Sequence, residues 1–200
     1  ALWPEVEALA RDGLVAFACT STLPFAAPAG SAKPLFGTDP VAFAWPRMGG
    51  HPVVFDMATT SMARGEVMIA AREGHDVPLG VGLDAEGQPT RDPKAILEGG
   101  VMLPFGGYKG SAISMMVELL AGALIGGVFS FQAGEVDNRD GGPTRGGEFI
   151  LAIDPARTSG GADWLGQGEA LFHKMLETGA TSGAVRLPGD RRYGNRDKTP

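Results

Sequence analysis

The chain has 200 residues, of which 44% are hydrophobic and 20% are charged, and its formal net charge is −6. These proportions indicate a soluble folded protein with enough chain for one sizeable core, and they exclude an intrinsically disordered chain. An acidic balance without a run of Lys and Arg argues against nucleic-acid binding and against a polybasic membrane anchor. The single cysteine, Cys19, excludes an internal disulfide.

The sequence also lacks recognisable signals for membranes, export or metals. Its longest apolar stretch, residues 112–128, contains Glu118 and falls short of the roughly 18–20 residues that a bilayer span needs. The first residues carry no signal-peptide pattern, so we expect a cytoplasmic protein that binds no membrane. The histidines lie far apart without ligand-like partners, which predicts no metal site.

Hydrophobic periodicity and capping residues predict an α/β (mixed α+β) protein. No strand–helix junction carries the G-x-G-x-x-G fingerprint of a Rossmann domain. The most regular helix, from about Ser111 to Ile125, is apolar nearly all round, which predicts a buried central helix. In chain order we expect a helix over 4–11, strands over 14–19, 41–44 and 52–57, helices over 63–72 and 93–97, the central helix, a strand over 149–153, a helix over 162–178 and a basic tail over 184–200.

Four segments have the composition of ligand-binding sites. Residues 36–40 form a turn with a hydroxyl, and residues 56–61 follow a strand with one carboxylate and three hydroxyls. Residues 103–111 are a Gly-rich loop with Lys109 at the start of the central helix, and residues 186–192 contain three arginines. Each segment also has a structural interpretation, as a cap, a connector or a solvated tail. Together they predict two or three anion sites, for which a dinucleotide is a natural ligand.

These segments resemble the type-2 malate/L-lactate dehydrogenase family, whose members use NAD(P)H without a Rossmann fold. The matching signatures are Gly37-Thr38-Asp39-Pro40, Asp56-Met57-Ala58-Thr59-Thr60 and Leu103–Gly110. The resemblance covers essentially the whole chain. It implies a non-Rossmann NAD(P)-binding fold with a mixed sheet, and one NAD(P)H-binding region over residues 1–200 that is a fragment of a longer oxidoreductase.

Within the family, the chain is most similar to bacterial reductases of Δ1-piperideine-2-carboxylate and Δ1-pyrroline-2-carboxylate, notably at residues 70–74, 129–131 and 187–193. This similarity implies that a homodimer reduces the C=N bond of a cyclic imino acid with NADPH. Two alternatives stay open. One is a dehydrogenase of malate, lactate or a related 2-oxo acid, and the other is a non-catalytic nucleotide-binding module if the chain is complete.

The resemblance also implies roles for individual residues. Thr38 is the implied substrate contact. Glu66 stands where other family members carry Lys, and its carboxylate would orient and charge-stabilise a catalytic imidazole, the alternative being an exposed helical residue. The implied cofactor contacts are Ala1, Leu2, Asp56, Met57, Ala58, Tyr108, Lys109, Arg186, Leu187, Pro188, Gly189, Asp190, Arg191 and Arg192.

Two departures from the family pattern bear on these roles. Asp39 replaces the usual Asn and offers only acceptors when ionised, so either its role is structural or the substrate pocket is altered. The family's Ser-His pair and carboxylate-binding Arg belong to an N-terminal region that this chain does not contain, so we expect the catalytic His there.

The choice of cofactor depends on the arginine cluster. Arg186, Arg191 and Arg192 favour NADPH, because Arg suits the 2′-phosphate. Asp190 is the risk to this prediction, since an acidic residue that binds a free ribose 2′-OH would favour NADH instead.

Overall fold

The computed structural model describes residues 1–138, 145–179 and 185–198. The mixed α/β class is confirmed, and the predicted helices and strands are present with small shifts of their ends. In chain order, the elements are α1 (Trp3–Arg11), β1 (Val15–Thr20), β2 (Val41–Trp45), β3 (Val53–Met57), α2 (Arg64–Glu73), β4 (Gly82–Leu83), β5 (Pro89–Thr90), α3 (Pro93–Leu97), β6 (Val101–Met102), α4 (Tyr108–Glu118, followed by a π-helical segment Leu119–Leu124), α5 (Ser130–Glu135), β7 (Glu148–Ile153), α6 (Pro155–Thr158), α7 (Trp164–Glu177) and α8 (Asp190–Arg196).

The chain divides into two compact units, each built from separate stretches of sequence. We call them the first unit (Ala1–Ala18, Ala42–Asp56 and Ile150–Pro200) and the second unit (Cys19–Val41 and Met57–Phe149). Among the described residues, no helix is long and apolar enough to cross a membrane.

The first unit contains most residues of a four-stranded sheet with the strand order β3-β2-β1-β7. One face of this sheet carries small side chains, because alanines alternate with larger residues along β1 and β2. Helix α1 lies on this face and buries Val6 and Ala10 against them. The other face is aromatic: the rings of Phe43 and Phe55 stack with their centroids 5.6 Å apart.

The second unit contains a small antiparallel sheet with the strand order β5-β4-β6. Helices α2 and α3 pack beside it and bury Val67, Ile96 and Met102 in one apolar cluster. Helix α3 begins as predicted, because the Asp92 carboxylate accepts a hydrogen bond of 2.9 Å from the amide of Lys94. The strands of this sheet are only two residues long, which is too short for hydrophobic alternation to reveal.

The expected burial of the central helix needs correction. Val117 and Ser114 are buried, whereas Met115 and Leu119 are about half exposed. The helix is apolar all round, but only one side packs against the part of the chain that the structure describes, and that side also carries the buried carboxylate of Glu118. Apolar composition predicts that a helix face is suited to burial. It does not predict whether that face is buried within the same chain.

The segment expected as a basic tail is part of the first unit over its described residues 185–198. Leu187 is buried against Val53 and Phe172. Tyr193 of α8 is buried in the cluster beneath α1 and stacks on His51, with ring centroids 4.1 Å apart.

Candidate functional site

The segment that leads into α8 follows the edge strand β3 of the first unit. The amide of Val54 donates a hydrogen bond of 3.2 Å to the carbonyl of Pro188. Gly189 has φ +97°, and a Cβ at this position would lie 2.9 Å from the ring of Tyr193. Only glycine combines this left-handed conformation with such a close approach. The segment is therefore held in one path before it presents the arginines of α8.

Two of the predicted cofactor contacts, Arg191 and Arg192, line an open cavity of about 350 Å³ together with Gly189 and Asn195. Among the described residues, Arg192 forms no ion pair, and its Nη1 atom is buried without a hydrogen-bond partner. Its guanidinium carbon lies 4.7 Å from the ring centroid of Trp3. An arginine that is held in place without an acidic partner has the character of an anion-binding group.

The neighbouring carboxylate, that of Asp190, is engaged within its own segment. Its Oδ2 atom accepts a hydrogen bond of 3.0 Å from the amide of Leu187. Asp190, the residue that would favour NADH if it bound a ribose hydroxyl, therefore stabilises the turn before α8. Arg186, also in this segment, is exposed.

The start of the chain lies against the end of β3. The Oδ2 atom of Asp56 accepts hydrogen bonds from the amides of Leu2, at 2.7 Å, and of Trp3, at 3.0 Å. Asp56 therefore binds the amino-terminal end of α1, where a carboxylate is favourable. In the first unit, Leu2 is thus hydrogen-bonded to Asp56, and Pro188 is hydrogen-bonded to Val54 of the same strand. Ala1 is exposed.

In the second unit, the backbone of Thr38 is held by hydrogen bonds. Its carbonyl accepts hydrogen bonds from both the amide and the hydroxyl of Thr59, at 2.9 and 3.0 Å. The carbonyl of Thr59 in turn accepts from the amide of Phe105, at 2.9 Å. Thr59 therefore connects the turn that bears Thr38 to the Gly-rich loop that bears Lys109.

The expectation that residues 59–61 donate hydrogen bonds to an anion is wrong for their hydroxyls. The Thr59 hydroxyl is buried between Thr38 and the hydroxyl of Ser114, which donates to it at 2.8 Å. The hydroxyl of Thr60 donates to the carbonyl of Met62, and that of Ser61 donates to the carbonyl of Pro104. These donors are satisfied within the unit because they hold its loops together. Met57, by contrast, is exposed at the end of β3, and Ala58 is half-buried.

The Gly-rich loop presents Tyr108 and Lys109 to solvent at the start of α4. Gly106 and Gly107 both have positive φ, and Gly107 is the residue that precedes the helix. Gly110 is required for close approach, since a Cβ there would lie 2.8 Å from the carbonyl oxygen of Thr59. Among the described residues, Lys109 forms no ion pair.

Glu66 lies in the first turn of α2 with its side chain exposed. Its Oε2 atom accepts a long hydrogen bond, 3.4 Å, from the amide of Ala63. This contact leaves most of the carboxylate's hydrogen-bonding capacity open to another group.

Asp39 is fully buried in the second unit and has φ +37°. Neither of its carboxyl oxygens has a well-formed hydrogen bond among the described residues, and the same holds for the Oε1 atom of Glu118 and the hydroxyl of Ser130. Burial, followed by the nearby carboxylate of Glu118, raises the pKa of Asp39 from 3.8 to about 8. With a pKa of about 8, Asp39 is mostly protonated at neutral pH, and its carboxyl group is then closer in character to the Asn that the family usually carries.

Sequence reasoning missed Trp3 and Glu7 of α1. The only signal was the spacing of Arg192 and Arg196, which places both on one face of a helix that sequence reasoning had not predicted. The sequence does not show which aromatic ring and which carboxylate that face meets.

Comparison with known proteins identifies the family. The profile of the malate/L-lactate dehydrogenase family matches residues 1–199. The Delta(1)-pyrroline-2-carboxylate/Delta(1)-piperideine-2-carboxylate reductase of Pseudomonas putida is 49% identical over 98% of this chain and 56% of its own length. The (2R)-3-sulfolactate dehydrogenase (NADP(+)) of Chromohalobacter salexigens is 46% identical over 96% of this chain and 55% of its own length.

Solved structures agree. The crystal structure of delta1-piperideine-2-carboxylate reductase from Pseudomonas syringae pvar. tomato superposes with a TM-score of 0.92 at 47% identity, over 100% of this chain and 58% of that one. The chain thus spans somewhat more than half the length of the relatives that it matches. The matched profile, the sequence identities and the shared fold together show that this chain belongs to the malate/L-lactate dehydrogenase family.

Proposed function

We propose that the native protein reduces the C=N bond of a cyclic imino acid, Δ1-piperideine-2-carboxylate or Δ1-pyrroline-2-carboxylate, with NADPH. The substrate class is supported by relatives that carry these names and are 45–49% identical over nearly the whole chain. The observation that carries the cofactor assignment is the guanidinium of Arg192, which lines a cavity and has no acidic partner among the described residues.

The arginines of α8 fit the phosphate that distinguishes NADPH from NADH. Arg191 and Arg192 face the same cavity, and two guanidinium groups can bind a phosphate through several charge-assisted hydrogen bonds. The Oδ2 atom of Asp190, the residue that would favour a free ribose hydroxyl, is occupied by the amide of Leu187. The two arginines beside this single aspartate leave a surplus of positive charge, which favours binding of an additional phosphate.

NADPH supplies a hydride to the imine carbon, and a proton must reach the imine nitrogen. In this proposal Arg191 and Arg192 bind the 2′-phosphate, Lys109 binds another phosphate, and Thr38 contacts the substrate. Glu66 orients the catalytic imidazole, which the family resemblance assigns to sequence preceding Ala1. A carboxylate beside an imidazole stabilises its protonated form, which is the acid that the reaction needs.

A substrate comparison tests the proposed reaction. The native protein is given NADPH with Δ1-piperideine-2-carboxylate, Δ1-pyrroline-2-carboxylate, pyruvate, oxaloacetate or 3-sulfopyruvate, and NADPH oxidation is followed by absorbance. We expect the largest kcat/KM with a cyclic imine. The relative named as a sulfolactate dehydrogenase supports one alternative, a 2-hydroxy acid dehydrogenase. A clear preference for a 2-oxo acid would establish that alternative and contradict the proposal.

Replacing Lys109 with Ala is expected to weaken cofactor binding by about 1–3 kcal/mol, the range for a lost charge-assisted hydrogen bond. Titration calorimetry of the native protein with NADPH measures this change. Lys94→Ala, which removes another exposed lysine of the second unit, serves as the matched control and should leave the dissociation constant unchanged. An unchanged dissociation constant for Lys109→Ala would remove this loop from the cofactor site.

Replacing Glu66 with Gln is expected to lower kcat by about 10²-fold, because the charge that stabilises the imidazolium is lost. Cofactor affinity should not change. Glu73→Gln, at the other end of α2, is the matched control, since Glu73 is also an exposed glutamate. Equal turnover by the Glu66→Gln variant and the native enzyme would show that Glu66 is an ordinary surface residue.

The homodimer and the cytoplasmic location remain predictions of the family resemblance. Apolar side chains exposed along α4, among them Met115 and Leu119, support an assembly that covers this helix. Sedimentation equilibrium of the native protein measures the oligomeric state, and a monomer at micromolar concentration would contradict the prediction.

A further inference from the structure

Two arginines of α8 meet the same indole ring in the first unit. The guanidinium carbon of Arg192 lies 4.7 Å from the centroid of the Trp3 ring, and that of Arg196 lies 5.5 Å from it. The two arginines are four residues apart, so they project from the same face of the helix. The backbone of Trp3 is anchored beside this face, because its amide donates to the carboxylate of Asp56.

The two guanidinium groups differ in their acidic partners. Arg196 is paired with Glu7: its Nη1 atom lies 2.9 and 3.1 Å from the two carboxylate oxygens. Glu7 is 4% exposed and also binds Arg11, at 2.7 Å, so its carboxylate is shared between these two cations. Arg196 is therefore held in an ion pair within the unit, in which the single charge of Glu7 is shared with Arg11.

Arg192 has no such partner among the described residues. Its Nη1 atom is buried without a hydrogen-bond acceptor, and the side chain also lines the cavity next to Gly189. The indole of Trp3 is the contact that fixes its guanidinium, since a cation over an aromatic face is attracted without consuming its hydrogen-bond donors. The donors available for an anion are therefore those on the side of Arg192 that lines the cavity, not the buried Nη1 atom.

From this arrangement we infer that Trp3 is a positioning residue for cofactor specificity: it holds Arg192 ready for the 2′-phosphate of NADPH, while Arg196 is engaged by Glu7. The inference rests on the proposed function and deepens it. A flexible arginine loses side-chain entropy when it binds a phosphate, and an arginine already stacked on a ring loses less. Trp3 therefore favours NADPH over NADH although it need not touch the cofactor.

The test measures the dissociation constants of NADPH and NADH for the full-length native protein and its variants by titration calorimetry. Trp3→Leu removes the aromatic face and is expected to reduce the preference for NADPH about tenfold by weakening NADPH alone. Trp3→Phe keeps an aromatic face and should retain most of the preference. Arg196→Ala is the matched control, since it removes the other arginine on the same ring and should lower the melting temperature without changing the preference.

A double-mutant cycle separates positioning from general stability. In an Arg192→Ala background, Trp3→Leu should have no further effect on the ratio of the two dissociation constants, because Trp3 acts through Arg192. An equal loss of preference in both backgrounds would overturn the inference, as would an unchanged preference in Trp3→Leu. If Trp3→Leu does not fold, Trp3→Met in the two backgrounds gives the same comparison, because methionine also lacks an aromatic face and adapts to irregular space in a core.

The outcomes also distinguish this inference from the proposed function. A native protein that binds NADH as tightly as NADPH contradicts the cofactor assignment before any variant is made. A native preference for NADPH that survives Trp3→Leu contradicts only the role of Trp3. Binding is measured without substrate, so an error in the substrate class leaves this test intact.

Discussion

Replacing Asp39 with Asn is expected to stabilise the protein by several kcal/mol at pH 8 and to leave its stability almost unchanged near pH 4. Asp39 is buried without a well-formed hydrogen bond, and burial together with Glu118 raises its pKa from 3.8 to about 8. Between these values the folded protein keeps a proton that the unfolded chain has lost. The free energy of unfolding therefore falls as pH rises through this window, by about 1.4 kcal/mol per pH unit from this group alone.

Asparagine removes the titration and keeps the shape. It is neutral at every pH of the window, and it tolerates the left-handed conformation that Asp39 adopts, with φ +37°. Urea unfolding of the native protein and of Asp39→Asn between pH 4 and 9 measures the difference. Asp12→Asn is the matched control, because Asp12 is exposed, and it should keep the native pH dependence. Parallel curves for Asp39→Asn and the native protein would show that Asp39 does not retain its proton.

Replacing both Arg191 and Arg192 with Ala is expected to lower kcat/KM for NADPH by about 10²-fold or more and to change kcat/KM for NADH little. Each charge-assisted hydrogen bond to the 2′-phosphate contributes about 1.5–3 kcal/mol, and NADH has no phosphate at that position. Steady-state kinetics with both cofactors measures the change. Arg72→Ala removes an exposed arginine of the second unit and controls for the loss of positive charge.

The preference itself is the quantity to compare. A native enzyme that prefers NADH, or a double variant that keeps the native preference for NADPH, would show that these arginines do not set the choice. Lower activity with both cofactors to the same extent would instead indicate that α8 had been disturbed.

Much of the fold follows from local sequence, and the exceptions have physical causes. Helix α3 was predicted from Asp92 and Pro93 because capping depends on a few adjacent residues. Helix α8 was missed because its residues are polar and basic, and its stability comes from burial of Tyr193 beneath α1, which is distant in sequence. The central helix was predicted, but its half-exposed face was not. Apolar composition does not show whether a face packs within the chain.

In the candidate site, too, features set by short motifs were predicted and features set by contacts between distant segments were not. Family signatures predict roles for Thr38, Lys109 and the arginines, because these lie in short contiguous motifs. They did not reveal that the hydroxyls of residues 59–61 donate to neighbouring carbonyls, or that Arg192 packs over the ring of Trp3. Such roles depend on contacts between segments, and a single sequence contains no direct record of those contacts.

The central claim is that hydride passes from NADPH to the imine carbon of a cyclic imino acid, and isotope transfer tests it most directly. The native protein is incubated with Δ1-piperideine-2-carboxylate and NADPH that carries deuterium at C4 of the nicotinamide, on either face in separate reactions. The account predicts that, for one of the two faces, one deuterium appears on the ring carbon that bears the carboxylate of the product. Product without deuterium from either cofactor, or no cyclic product at all, would contradict it.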